Sequence, residues 1–291
     1  MTFSYDEMTT RNIGFVTQAE QDKLRDGCVF VCGTGGMGGA VIMALARMGV
    51  GHLIIADIDH FEVSNLNRQV FAFTDTVDQH KADATAQMCR KINPEMKITV
   101  WHDDWPDHLD EALGEAAIVV NGTDDLGASL LLYRAARAAG KTMVDAYAAP
   151  FPSVYVTKAS DTPHEERLGY PTVGTAWDAI TEEQRSTAFM RESEWVVIHS
   201  SSRHHIDLDL VGEVVAGRRS RMSFAPMVIL TGQLMAYEAA AAITGKPHGT
   251  DNRGYFLNPY KGRTERPKPA WLAAMIRPVV RRFLTKLASG S

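Results

Sequence analysis

The sequence predicts an α/β fold: a Rossmann-like, doubly wound and mostly parallel sheet with an antiparallel extension. Three observations carry this. The apolar run Cys28-Val29-Phe30-Val31-Cys32 is too short for a helix and stops at Gly33, so it reads as a buried strand. A glycine loop, Gly33-Thr34-Gly35-Gly36-Met37-Gly38-Gly39, joins it to a helical pattern. Strand and helix patterns then alternate through residue 145, the rhythm of parallel strands with right-handed crossovers.

The elements follow in order. A helix is expected at about 38–47, and a second strand at 52–56 that delivers Asp57 at its end. A helix from about Asp78, a candidate N-cap, runs to Ile92 and is stopped by Asn93-Pro94. Strands are expected at 98–101, 117–120 and 142–145, with a helix at 128–139 ended by Gly140. After Asp145 the rhythm changes: 153–157 is a strand with no helical crossover, and 160–205 is polar, with only a short strand at 195–198. A long apolar helix opens at Ser223-Phe224-Ala225-Pro226 and closes at Gly245, with Pro near its first turn and Gly just past its end. Residues 254–257 form a last strand.

With 291 residues and 45% hydrophobic content, the chain can bury one large domain. The net charge of −5 is uneven, because residues 261–291 hold eight Lys/Arg and one acid. The acidic remainder argues against nucleic acid as a partner. No basic and apolar leader opens the sequence, and no apolar run is read as approaching a membrane span, so the chain is expected to be cytoplasmic.

The glycine loop suits a phosphate, since the helix behind it offers free N–H donors, but it leaves ATP and NAD(P) both open. More informative is Asp57-Ile58-Asp59-His60-Phe61-Glu62-Val63-Ser64-Asn65-Leu66-Asn67-Arg68-Gln69. An acid at Asp57 suits a ribose hydroxyl, and the guanidinium of Arg68 suits phosphate oxygens. Lys81 follows on the next helix, and Asn121-Gly122-Thr123-Asp124-Asp125 follows the fourth strand.

This set resembles the nucleotide site of the ubiquitin-activating (E1-like) superfamily, in particular the bacterial molybdopterin- and thiamine-pathway adenylyltransferases of the ThiF, MoeB and HesA type. The match covers about residues 10–159 and 222–245. The resemblance implies Mg²⁺-ATP as cofactor, bound by Gly33, Gly35, Gly36, Gly38, Asp57, Asp59, Ser64, Asn65, Arg68, Gln69, Lys81, Asp124 and Asp125, with Asp124 holding Mg²⁺ through the nucleotide. It implies Arg11, Arg68, Lys81 and Asp124 as catalytic residues, Arg11 reaching the other protomer's site in a symmetric homodimer. The family carries Asn where this chain has Asp125. The implied reaction activates a carboxylate, the C-terminus of a peptide or small protein, as an acyl-adenylate with release of pyrophosphate. An NAD(P)-dependent oxidoreductase and a catalytically silent scaffold remain as alternatives.

Relatives that carry a thioester keep a cysteine after the nucleotide domain, and many hold zinc with two Cys-x-x-Cys pairs. This chain has Cys28, Cys32 and Cys89 only, so neither a thioester on its own cysteine nor a four-cysteine zinc site is expected. His199, His204 and His205, with Asp207 and Asp209, form a His-rich cluster read as an exposed strand and loop. The expected organisation is an adenylation domain at 1–260, with a variable substrate-facing insertion at 160–205, and a basic amphipathic tail at 261–291. Leu272, Ile276, Val279, Val280, Phe283, Leu284 and Leu287 share one face of that tail, with Pro278 as a kink. It either docks on the protein's own surface or meets an acidic membrane or partner.

Overall fold

Alternation along β1 (Cys28–Cys32) sets the two-sided core. Val29 and Val31 enter one apolar cluster, while Cys28, Phe30 and Cys32 enter the other on the opposite face, and all five are buried. A computed structural model describes residues 2–147 and 149–289. Before β1 come α1 (Tyr5–Thr9) and α2 (Gln18–Asp26); after it come α3 (Gly36–Met48), β2 (His52–Ala56), α4 (Lys81–Ile92), β3 (Lys97–Trp101), α5 (Leu109–Glu115), β4 (Ile118–Asn121), α6 (Leu126–Ala138) and β5 (Met143–Asp145). The second half holds β6 (Ser153–Thr157), α7 (His164–Leu168), α8 (Glu182–His199), α9 (Leu208–Val215), α10 (Ala225–Thr244), β7 (Tyr255–Asn258), β8 (Arg263–Glu265) and α11 (Ala270–Ser289).

The strands form one eight-stranded sheet in the order β3-β2-β1-β4-β5-β6-β7-β8. Pairing is parallel from β3 to β5 and antiparallel from β5 to β8. The order reverses direction between β1 and β4, which opens a crevice at their carboxyl ends.

The long apolar helix α10 lies against α3. A Cβ on Gly232 would meet the Cβ of Ala40 at 2.5 Å and the Met37 carbonyl oxygen at 2.6 Å, so only glycine allows this approach. Contrary to the sequence reading, α10 is long and apolar enough, at mean hydropathy 1.3, to cross a bilayer by length and composition. Here its residues Val228, Met235, Ala236 and Ala239 are buried inside the protein.

Three other expectations are corrected. Residues 195–198 are the last turn of α8, not a strand. The helix begins with a capping box between Thr181 and Gln184, and its apolar end packs under α11. The helix expected from Asp78 starts at Lys81, because Asp78 is left-handed (φ +69°) in the preceding turn and His80 takes the cap position. Finally, α11 continues past Pro278 and docks on the chain's own surface, one of the two readings expected, with one residue of its apolar face out of place. Ala273, Val280 and Leu284 bury against Ile198, while Arg277 and Arg281 each pair with the buried carboxylate of Glu194, at 3.1 and 3.0 Å. Val279, expected to share one face with Val280 and Leu284, is exposed.

Candidate nucleotide site

The crevice begins where β1 gives way to α3. Gly33 has φ +90°, and a Cβ there would lie 2.4 Å from the Gly122 carbonyl carbon; one on Gly38 would lie 1.8 Å from the Gly33 oxygen. Both glycines therefore serve the close crossing of the loops after β1 and β4. Gly35 is different, because its missing Cβ would meet only the Gln69 side chain, at 3.4 Å. The loop thus stays open at Gly35, whereas a Cβ on Gly36 would lie 2.7 Å from Val228 Cγ1 of α10; here, at the N-terminus of α3, backbone N–H groups and the helix dipole favour an anion.

Asp57 closes the other side. Its Oδ2 accepts from the Thr34 N–H at 2.6 Å and the Thr34 hydroxyl at 3.0 Å, and Oδ1 accepts from the Asp59 N–H at 3.0 Å. The carboxylate is thereby fixed at the end of β2 beside the glycine loop. Lys81 opens α4: its N–H donates to the Asp59 carbonyl at 2.8 Å, and its Nζ lies 2.8 Å from Asp59 Oδ2.

The loop after β2 supplies the rest. Asn65 is buried and structures its own turn, accepting from the Glu62 N–H at 3.1 Å and donating to Ser64 Oγ at 3.3 Å. Ser64 is exposed, its hydroxyl donating to Glu62. Arg68 folds back to donate to the Ser64 carbonyl at 2.9 Å and Asn67 Oδ1 at 2.8 Å. Gln69 is buried beside Gly35, and its Oε1 has no hydrogen-bond partner among the described residues.

After β4, the neighbouring acids separate. Asp125 caps α6, accepting from the Ala128 N–H at 2.8 Å, and pairs with Arg185 at 2.5 Å. Aspartate and asparagine cap helices about equally well, so the departure from the resembling family's Asn keeps the local structure. Asp124 is exposed, and its carboxylate forms no hydrogen bond or ion pair among the described residues. Asp124, Lys81 and Asp57 thus share the carboxyl edge of the sheet, a donor set of oxygen and ammonium that fits a triphosphate with Mg²⁺.

Arg11 is not brought to this crevice. Its neighbour Asn12 donates to the carbonyl of Met48, the last residue of α3, while the glycine loop lies at the other end of that helix, about 20 Å away for thirteen residues.

The His-rich cluster does not converge. His199 ends α8, buried, with Nδ1 accepting from the Lys268 N–H at 3.0 Å, and burial lowers its pKa to about 3, so it is neutral. His205 is exposed and stacks on Tyr260, His204 is exposed, and Asp207 caps α9.

Sequence reasoning missed Thr34, which fixes Asp57, and Arg185, which occupies Asp125. It also passed over Asp145, buried at the end of β5, which accepts from the Tyr133 hydroxyl at 2.8 Å. Burial raises its pKa to about 7, against the lowering effect of that bond and of the Ala146 N–H. An acid closing a buried strand was the available signal.

Fold and crevice together define an α/β protein with an E1-like sheet. Residues 9–272 match the ThiF family, and the chain belongs to that family. Over 132 residues it is 31% identical to the sulfur carrier protein ThiS adenylyltransferase of Escherichia coli K12, covering 45% of this chain and 53% of that one. Over 164 residues it is 32% identical to the SAMP-activating enzyme E1 of Haloferax volcanii, covering 55% and 61%. The chain thus spans little more than half the length of these curated relatives. Its fold is similar to that of the microcin C7 biosynthetic enzyme MccB in complex with N-formylated MccA (TM-score 0.65, 19% identity, 93% of this chain and 76% of that one). E. coli MccB with ATP is similar too (TM-score 0.61, 18% identity, 87% and 67%).

Proposed function

We propose that this chain is an ATP-dependent adenylyltransferase that activates the terminal carboxylate of a peptide or small protein. The observation that carries this is the joint placement of Asp57, Lys81 and Asp124 on the carboxyl edge of the sheet, around a glycine loop left open at Gly35. A hydride-transferring enzyme needs the loop and Asp57 but has no use for the other two. The names of the ThiF-family relatives, and MccB's crystallisation with ATP and with MccA, support the same reading.

In this account a carboxylate oxygen attacks the α-phosphorus, the bond from that phosphorus to the bridging oxygen breaks, and pyrophosphate leaves. Asp57 holds the ribose hydroxyls, the α3 N-terminus receives phosphate oxygens, and Lys81 and Arg68 offset the charge gathering on the departing pyrophosphate. Mg²⁺, held through the triphosphate near Asp124, supplies further positive charge when bound. The acyl group then passes to an external nucleophile with loss of AMP. No thioester forms on this chain: Cys28, Cys32 and Cys89 are all buried, and burial raises each thiol's pKa, to about 12 for Cys28 and Cys89. We take Arg11 to act from the partner protomer of a homodimer, a reading supported by its place at the far end of α3 from its own crevice.

The test is ATP–pyrophosphate exchange with candidate peptides encoded beside this gene, each synthesised with a free and with an amidated C-terminus. Exchange that requires the free carboxylate is expected. Exchange that is equal with the amidated peptide would refute the assignment of the nucleophile.

A further inference from the structure

Beside the nucleotide crevice, three segments distant in sequence bring histidines together. His60 follows Asp59 after β2, His80 caps α4, and His102 follows β3. The rings of His60 and His80 stand 5.1 Å apart, and those of His80 and His102 stand 4.0 Å apart. Asp83, three residues after His80 and so on the same side of the first helical turn, places Oδ2 3.1 Å from His102 Nε2. One ligand atom from each of His80, Asp83 and His102 lies within 4.8 Å of the other two. His80 Nδ1 is buried and has no hydrogen-bond partner. None of these residues is used by the adenylation chemistry.

We propose that His80, Asp83 and His102 bind a borderline divalent transition metal such as Zn²⁺ or Co²⁺. Two imidazole nitrogens and one carboxylate oxygen suit these ions and not Mg²⁺, which prefers an all-oxygen shell. Tetrahedral bonds of about 2.0–2.1 Å set ligand atoms about 3.3 Å apart, so the Asp83–His102 pair already has the spacing and His80 closes by a small side-chain movement. The ion would pin the start of α4 to the end of β3. Lys81 is the next residue after His80, so a filled site would hold the lysine against the crevice. Binding at this site does not depend on the reaction carried out next to it.

A second trio, Cys28, His52 and Glu115, lies at the opposite, amino edge of the sheet and provides the internal control. The experiment titrates the untagged full chain with ZnCl₂ by calorimetry and with CoCl₂ by visible absorption, in wild type, His102→Ala, Asp83→Asn and His52→Ala. Circular dichroism confirms that each variant is folded. One saturating equivalent is expected in wild type and His52→Ala, with a tetrahedral Co²⁺ spectrum, and at least about tenfold weaker binding in His102→Ala and Asp83→Asn. The absence of saturable binding would overturn the proposal. So would binding that survives His102→Ala or is lost in His52→Ala.

Discussion

Lys81 and Asp59 form an ion pair across the mouth of the nucleotide crevice, with Nζ 2.8 Å from Oδ2; the lysine side chain is 10% exposed and the aspartate 60%. The ammonium is therefore held at the edge of the site by a partner that lies mostly in water. A phosphate arriving in the crevice meets a cation already in position. Replacing Lys81 with Ala is expected to lower pyrophosphate exchange by about 10²-fold or more, because a charge-bearing contact to the leaving group is lost. Asp59→Asn should cost exchange much less and leave unfolding free energy within about 1 kcal/mol of wild type, as for a solvent-facing pair. Rate measurements and urea melts on both variants check the ranking.

The two neighbouring acids after β4 are expected to separate in their effects. Asp125→Ala removes the α6 cap and should cost about 1 kcal/mol of stability, whereas Asp125→Asn keeps a capping oxygen and should recover most of it. Asp124→Ala, at an exposed position whose carboxylate has no partner among the described residues, should leave the melting temperature unchanged in the absence of nucleotide and reduce the stabilisation by Mg²⁺-ATP. Thermal melts with and without Mg²⁺-ATP compare the three.

Because the N-terminal segment is anchored at the far end of α3, Arg11 should act on the partner protomer. Inactive Arg11→Ala mixed with inactive Lys81→Ala should regain activity once subunits exchange, since one hybrid site is then wholly wild type. No recovery, with exchange proven by a labelled subunit, would rule out action in trans.

The buried carboxyl of Asp145 sets a pH dependence of definite sign. Its pKa is raised to about 7 by burial, whereas in the unfolded chain it is about 3.9. Between these values the native state holds a proton that the unfolded state has released, so this contribution is full below about pH 4 and is lost as pH rises through 7. His199 works in the opposite sense, its lowered pKa costing stability as pH falls below about 6.5. The difference between wild type and Asp145→Asn isolates the first effect: the variant should gain on wild type between pH 5 and 7.5 in urea melts. A constant difference would contradict the assignment.

How much of this was legible in the sequence depends on how local each signal is. The β1–glycine loop–α3 unit and Asp57 rest on short apolar runs, glycines and spacing within some thirty residues, and they read directly. Helix α8 did not, because its charged first half faces solvent while Val196 and Ile198 turn inward, partly to meet α11 some eighty residues later. The buried state of His199 has the same origin, since its partner is the Lys268 backbone. The capping role of Asp125 was visible in principle, as an aspartate just ahead of a helical pattern, but its pairing with Arg185 joins segments that no period links. The histidines at 60, 80 and 102 likewise meet only once β2 and β3 are paired.

Ligand-dependent stability separates a crevice built for a triphosphate from one built for a dinucleotide. Melting curves of the full chain are compared with Mg²⁺-ATP, NAD⁺ and NADP⁺, each at saturating concentration, in wild type and Lys81→Ala. At about 100 times its dissociation constant a ligand adds roughly 2.7 kcal/mol to unfolding free energy, a readily measured shift. That shift is expected with Mg²⁺-ATP alone, and its reduction in Lys81→Ala. A shift with NAD⁺ or NADP⁺ and none with Mg²⁺-ATP would contradict it.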